Sequence, residues 1–325
     1  MYTLEEICQI VDKAIISLEF GKEPVRLYEP IRYLMSIGGK RIRPRMALMT
    51  YNLFSDKIDN SIIAPAMALE IFHGFTLIHD DIMDGAGLRR NQVTVHKKWN
   101  ENTAILSGDV MCIKSYQYLA QCPPEKLQEL LSLFTLTAAQ VCEGQQIDMD
   151  YEQEPYITME DYIGMIALKT AVLIACAARS GALIADASQK RCESLYDYGY
   201  QLGLAFQIKD DYLDSFGDSA IFGKNIGGDI VSNKKTWLMV YALKQMDATR
   251  KRELFAMYDN PDVTPREKIS RVLALYELLG VKSAAEKAIE EYFSNAVSCI
   301  DNPGFTSDQK ERLIRFGETL IRRER

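Results

Sequence analysis

Apolar residues recur at three- and four-residue spacing almost without interruption along the chain, and this confines it to helical architectures. The periodic runs lie near 4–20, 42–54, 60–83, 102–120, 124–148, 158–182, 188–213, 234–246, 264–280, 282–300 and 306–322. Alternation of period two, which a half-buried strand requires, is hard to find. Breakers fall between the runs at Gly38-Gly39, Pro123-Pro124, Pro155, Gly181, Gly227-Gly228, Pro261 and Pro303. Thr158 with Asp161 three residues on, and Thr264-Pro265-Arg266-Glu267, read as capped helix starts. No compositional shift or flexible linker marks a boundary. The expectation is one all-α domain over residues 1–325, organised as a helical bundle.

With 325 residues, 47% hydrophobic and 26% charged, the chain can bury a substantial core. Its net charge of −7 does not favour nucleic acid or an anionic membrane. An anionic substrate would need metal ions or a local basic cluster. Seven scattered cysteines without C-x-x-C spacing fit thiols in a reducing cytoplasm. The N-terminus lacks the features of a signal peptide. No stretch approaches the roughly 18 uncharged apolar residues of a membrane span.

Chemistry enters with two aspartate sets of one spacing, Asp80-Asp81-Ile82-Met83-Asp84 and Asp210-Asp211-Tyr212-Leu213-Asp214, each closing an apolar helical run. On a helix the first and last aspartates of each set are i and i+4 and share a face. Such like charges repel by about 0.2–0.5 kcal/mol per pair on an isolated helix. A single acidic helix end is ordinarily a solvated face. A duplicated one with matched lead-in helices reads as a site for hard cations such as Mg²⁺, which take one or two carboxylates and complete their shell with water and phosphate oxygens.

Positive charge gathers in two places. Gly38-Gly39-Lys40-Arg41-Ile42-Arg43-Pro44 sets glycines before three cations, so that backbone N–H groups can approach an anion beside Lys and Arg donors. Arg89-Arg90 follows Asp84 across a short loop, Gly85-Ala86-Gly87-Leu88.

With these motifs in hand the chain resembles the trans-isoprenyl diphosphate synthases, or polyprenyl synthetases, over essentially its whole length. The resemblance rests on Gly38 to Pro44, His79-Asp80-Asp81-x-x-Asp84 with Arg89-Arg90, Gly144-Gln145-x-x-Asp148, Lys169-Thr170 and Phe206-Gln207-x-x-Asp210-Asp211-x-x-Asp214, in family order. It implies an all-α bundle around a deep central cavity with the aspartate sets facing each other at its mouth. It also implies Mg-dependent head-to-tail condensation of isopentenyl diphosphate with an allylic diphosphate (dimethylallyl, geranyl or farnesyl), releasing pyrophosphate. By resemblance Asp80, Asp84 and Asp210 hold roughly two to three Mg²⁺ ions, Mn²⁺ being an alternative, and Asp81, Asp211 and Asp214 complete or support these sites. Arg89, Lys169 and Lys224 would contact the allylic diphosphate, with Lys234 nearby, and Phe206 belongs to the same substrate-binding set. Isopentenyl diphosphate would sit against Gly39, Lys40, Arg43, His73 and Arg90. Lys169, Thr170 and Gln207 would steady an allylic cation through their dipoles, and a homodimer is the family's usual state.

Residues 216–236, with four glycines and two cationic stretches including Lys224 and Lys234, look like a cover that excludes water from a carbocation. The tail Ile321-Arg322-Arg323-Glu324-Arg325 is better read as a frayed end. In the family, side chains one to three turns before the first aspartate limit product length; here these are Thr76, Phe75, Phe72 and Leu69. An aromatic at Phe75 makes a floor and favours a short product, geranylgeranyl ahead of farnesyl diphosphate. The alternatives are a non-catalytic subunit of a heteromeric synthase, which often loses one aspartate set, and a terpene cyclase, which usually replaces the second.

Overall fold

The computed structural model describes residues 1–217, 227–258 and 260–322. Sixteen α-helices carry the described chain: α1 Leu4–Ile16, α2 Val25–Ser36, α3 Ile42–Asn52, α4 Asn60–Met83, α5 Val95–Lys98, α6 Glu101–Leu119, α7 Leu127–Gln153, α8 Met159–Ile166, α9 Val172–Ile184, α10 Gln189–Phe216, α11 Gly228–Val231, α12 Trp237–Gln245, α13 Ala248–Tyr258, α14 Pro265–Leu278, α15 Val281–Ile300 and α16 Ser307–Ile321. A short 3₁₀ turn, Pro124–Lys126, leads into α7, and a π turn, Ala167–Ala171, joins α8 to α9. The fold is all-α, as the periodicity requires. Among the described residues the only sheet is a hairpin of two-residue strands, β1 Leu88–Arg89 and β2 Gln92–Val93.

The expected caps are present. Thr158 and Asp161 form a reciprocal capping box, and Thr264 accepts from Glu267 N with Pro265 in the first helical position. Four helices were not expected, the short α5 and α11 and the longer α2 and α13. In α2, Pro30 interrupts the N–H ladder, yet Ile31, Leu34 and Met35 bury one face and hold the helix. In α13 only Leu254 is buried, so the segment carries no apolar stripe to read.

By packing, the chain divides into two compact units. The first comprises Met1–Ala138, Leu173–Gly199 and Cys299–Lys310. Its core joins Phe20, Ile31, Leu34, Met35, Ile71, Ile78, Val95, Ala104 and Met111, with α4 packed chiefly on α6. Gly74 and Gly108 allow that approach, since a Cβ at either would collide with Met111 or His79. The second unit comprises Ala139–Val172, Tyr200–Ser298 and Glu311–Arg325.

Two helices bear on the expectation about membrane spans. Helix α4 and the run Met159–Ile184 each contain a window of mean hydropathy 1.6, long and apolar enough by length and composition to cross a bilayer. Each window is 67% buried inside the protein, so its apolar surface is already covered by packing. The glutamate and histidine inside α4 kept the run from reading as one apolar block. Among the described residues no disulfide joins the seven cysteines.

Candidate active site

Helix α4 delivers the first aspartate set. Asp59 caps its start by accepting from Ser61 N at 3.1 Å, and Asp80 and Asp81 fall in its last turn with Asp84 as its C-cap. The carbonyl end of a helix disfavours negative charge, so three carboxylates here need compensation. The hairpin supplies it. Arg90 and Asn91 make its turn with φ of 51° and 62°, the left-handed pair that a two-residue hairpin demands. This turns Arg89 back onto α4, where Nε donates to both Asp81 oxygens at 2.9 Å and Nη2 reaches Asp80 Oδ2 at 3.1 Å.

Asp81 is 1% exposed, and burial pushes its carboxyl above the usual range while Arg89 opposes the shift. With both oxygens turned to Arg89, Asp81 fastens the hairpin to the helix. Asp80 is partly exposed and Asp84 exposed, so the accessible carboxylates of this set belong to those two.

The basic residues converge in the same unit. Gly38 and Gly39 have φ of 89° and 137°. Arg90 Nη1 donates to the Gly38 carbonyl, and a Cβ on Gly39 would meet the Arg90 guanidinium, so only glycine fits there. Lys40 is exposed, while Arg43 lies buried in the first turn of α3. Burial draws the Arg43 pKa down to about 10, with Glu70 opposing and Arg90 assisting. His73 is held well below its usual pKa, first by burial and then by Arg43, Arg90, Arg89 and Arg41. It is a neutral imidazole among four guanidinium groups.

In the second unit Asp210 is exposed, Asp214 half-buried and Asp211 5% exposed. Asp211 accepts from Tyr162 Oη at 2.6 Å, from Trp237 N at 2.8 Å and from Gln207 Nε2 at 3.0 Å. Burial pushes its carboxyl up to about 6 against these bonds. Asp211 therefore ties α8, α10 and α12 together. Asp214 Oδ2 accepts from Asp229 N at 3.0 Å, and the Asp214 carbonyl from Gly227 N at 2.7 Å. Desolvation, then Asp214 and Asp211, pushes the Asp229 carboxyl up to about 8.

Lys169 and Thr170 sit in the π turn, a geometry that exposes backbone and often marks functional positions. Gly144 on α7 and Gly203 on α10 let two helices touch the backbone of this turn, since a Cβ would lie 2.3 Å from Lys169 N or 2.6 Å from Ala171 Cα. Lys169 pairs with Asp148, and Thr170 Oγ1 donates to Gln207 Oε1 at 3.0 Å, extending the chain of bonds to Asp211. Phe206 and Lys234 are half-buried.

The residues expected to limit product length occupy one stretch of α4. Leu69 and Phe72 are buried, Phe75 and Thr76 half-buried. Thr76 Oγ1 donates to the His73 carbonyl at 2.8 Å. The Phe72 ring stands 5.4 Å from Phe75 and 5.3 Å from Phe134, which in turn meets Tyr116 at 5.2 Å. Lys224, with residues 218–226 of the expected cover, and Arg323 to Arg325 lie outside the described residues.

Sequence reasoning passed over Glu70, Tyr162 and the place of Asp229 beside Asp214. A lone acid or tyrosine in an apolar run has no period to announce it, although Glu70, one turn before His73, was a visible signal. Among the described residues no three His, Cys, Asp or Glu side chains gather closely enough to hold a metal by themselves. That donor set still suits Mg²⁺, which needs only one or two carboxylates when a diphosphate supplies further oxygens. It does not suit zinc, which wants nitrogen and sulfur ligands from the protein.

Comparison with known proteins gives the family. The polyprenyl synthetase family matches residues 24–276. A short chain isoprenyl diphosphate synthase of Methanocaldococcus jannaschii is 40% identical over 243 residues, covering 74% of each chain. A geranylgeranyl diphosphate synthase of Methanosarcina mazei is 34% identical over 319 residues, covering 97% of this chain and 95% of its own. A solved geranylgeranyl pyrophosphate synthase superposes with a TM-score of 0.93 at 41% identity, covering 99% of both chains. With its helical fold, its two aspartate sets and its basic loop in place, the chain belongs to the polyprenyl synthetase family.

Proposed function

We propose that this prenyltransferase condenses isopentenyl diphosphate head to tail with an allylic diphosphate and makes geranylgeranyl diphosphate. One observation carries the reading. Helix α4 presents accessible carboxylates at Asp80 and Asp84 and, two turns earlier, His73 under the field of Arg41, Arg43, Arg89 and Arg90. A metal-held diphosphate and a second one held by Lys and Arg alone need two such places.

Asp80, Asp84, Asp210 and Asp214 are the residues that would hold Mg²⁺, while Asp81 and Asp211 keep the two sets in shape. When bound, Mg²⁺ supplies charge that stabilises the departing pyrophosphate. Arg89 and Lys169 add positive charge to the same leaving group, with Lys224 and Lys234 from the cover. The C–O bond of the allylic substrate breaks and its electron pair leaves with pyrophosphate. The alkene of isopentenyl diphosphate, oriented by Gly39, Lys40, Arg43, His73 and Arg90, attacks the allylic carbon. Neutral His73 donates a hydrogen bond without adding a fifth cation. Thr170 Oγ1 donates its hydrogen bond to Gln207 Oε1, so its oxygen lone pairs remain to face positive charge. Loss of a proton to pyrophosphate then restores a trans double bond.

The exposed apolar residues Ile105, Leu106 and Ile113 of α6 and Leu131 and Leu136 of α7 would form the seam of a homodimer. Cysteines without disulfides suit a reducing compartment such as the cytoplasm. The test is incubation of the purified protein with Mg²⁺, radiolabelled isopentenyl diphosphate and each allylic primer, with products sized by chromatography. Twenty-carbon product is expected. No elongation from any primer would refute the catalytic reading.

A further inference from the structure

Glu70 lies three residues before His73 on α4 and is 3% exposed. Its Oε1 accepts from Arg41 Nη1 at 2.7 Å, while Arg41 Nη2 donates at 2.6 Å to the Met35 carbonyl in the last turn of α2. Arg41 is thus pinned between two helices while its backbone, at φ 48° and ψ 41°, forms the N-cap of a third, α3. A left-handed conformation is costly for an arginine, and no side-chain cap bond offsets it. The buried ion pair is what holds it.

That backbone turn fixes two things. It sets where the Gly38-Gly39-Lys40 loop points, and it sets where α3 begins, with Arg43 in its first turn. The second carboxylate oxygen, Glu70 Oε2, and Arg43 Nε are both buried without a hydrogen-bond partner. The two charges act on each other across the gap that remains. Buried polar atoms rarely stay unpartnered, so each of the two has bonding capacity left to use.

We propose that Glu70 is a positioning residue for the diphosphate held by Gly39, Lys40, Arg43, His73 and Arg90. Through Oε1 it clamps Arg41, and through Oε2 it takes Arg43 Nε once diphosphate oxygens engage the terminal nitrogens of Arg43. This rests on the reading of that cradle as the isopentenyl diphosphate site.

Positioning and bulk charge predict opposite signs. Glu70→Gln removes a negative charge beside Arg41 and Arg43. If Glu70 acted only by charge, an anion would then bind more tightly. As a positioning residue its loss weakens binding. The test titrates metal-free protein calorimetrically with isopentenyl diphosphate and measures both KM values with Mg²⁺ present.

Glu70→Gln should raise Kd and KM for isopentenyl diphosphate at least about tenfold, the scale of one charge-assisted hydrogen bond, while KM for the allylic substrate moves less than about threefold. Equal or tighter binding, or a parallel rise in both KM values, overturns the role. Failure of the wild type itself to bind overturns the cradle reading instead. The double variant Arg41→Met with Glu70→Met removes the buried Arg41–Glu70 ion pair as a whole and covers the case in which Glu70→Gln does not fold. An unchanged KM for isopentenyl diphosphate in the double variant overturns the proposal as well.

Discussion

Asp81 and Asp211 stand second in their respective sets and do the same work by different means. One is bound by a single arginine, the other by a tyrosine, an amide and a helix N-terminus. Tyr162→Phe removes the shortest of the Asp211 bonds and leaves a buried carboxylate less satisfied. It should lower stability by about 2 kcal/mol, seen as a lower urea midpoint, because a hydrogen bond to a charged group is worth roughly 1.5–3 kcal/mol. His73 carries a pH signature. Its folded pKa is depressed, so the unfolded chain binds the extra proton and the folded one does not. Stability is therefore intact above about pH 6.5, the unfolded value, and falls as pH drops below it. His73→Gln should lose part of that acid sensitivity. The check is denaturant unfolding without substrate from pH 8 to 5.5, where an identical slope in both proteins would contradict a depressed His73 pKa.

At the scale of elements, the π turn between α8 and α9 depends on two helices that come within backbone contact of it. Gly144→Ala would place a methyl 2.3 Å from Lys169 N, against backbone that cannot swing aside. Overpacking of this kind costs about 1–3 kcal/mol and should displace Lys169 and Thr170, lowering kcat as well as Tm. Gly164→Ala, in α8 with nothing within 4 Å, is the matched control and should stabilise by about 0.5–1 kcal/mol. Equal effects at the two glycines would remove the packing argument. The Gly144-Gln145 motif was readable as a string, but the close approach that explains it is tertiary.

The hairpin escaped notice for a related reason. Its turn uses Arg90-Asn91 in place of the usual glycine pair, so sequence offered only a loop. Helix α2 was hidden by Pro30 and α13 by its polarity. The aspartate sets and basic loop were legible because dense charge at fixed spacing is rare in apolar surroundings. Glu70 and Tyr162 were not, because each acts through one contact across many residues.

For the molecule as a whole, a net charge of −7 repels two diphosphates, so each must be drawn in locally. Chelation with EDTA should abolish turnover by a factor of about a hundred or more, since leaving-group charge would go unbalanced. Isopentenyl diphosphate should still bind the cationic cradle in the same chelated sample. On the proposed reading, product length follows from what closes the space beside α4. The Phe75 ring lies 4.8 Å from His79 and 5.4 Å from Phe72, at one end of a stack that continues through Phe134 to Tyr116.

Phe75→Ala removes that end and leaves the other three phenyl rings in place. Longer products should appear, but in a short step beyond twenty carbons, because Phe72 and Phe134 still close the space behind. The half-buried ring should cost about 2 kcal/mol of stability, less than the roughly 3–5 kcal/mol of a fully buried phenylalanine. Adding Phe72→Ala should lengthen products again at a larger stability cost, since Phe72 is 1% exposed. If the single variant makes the same products as the wild type, Phe75 is core packing and the floor lies elsewhere. If the single and double variants give one common longer product, Phe75 alone sets the limit and the stack behind it has no part in measuring the chain.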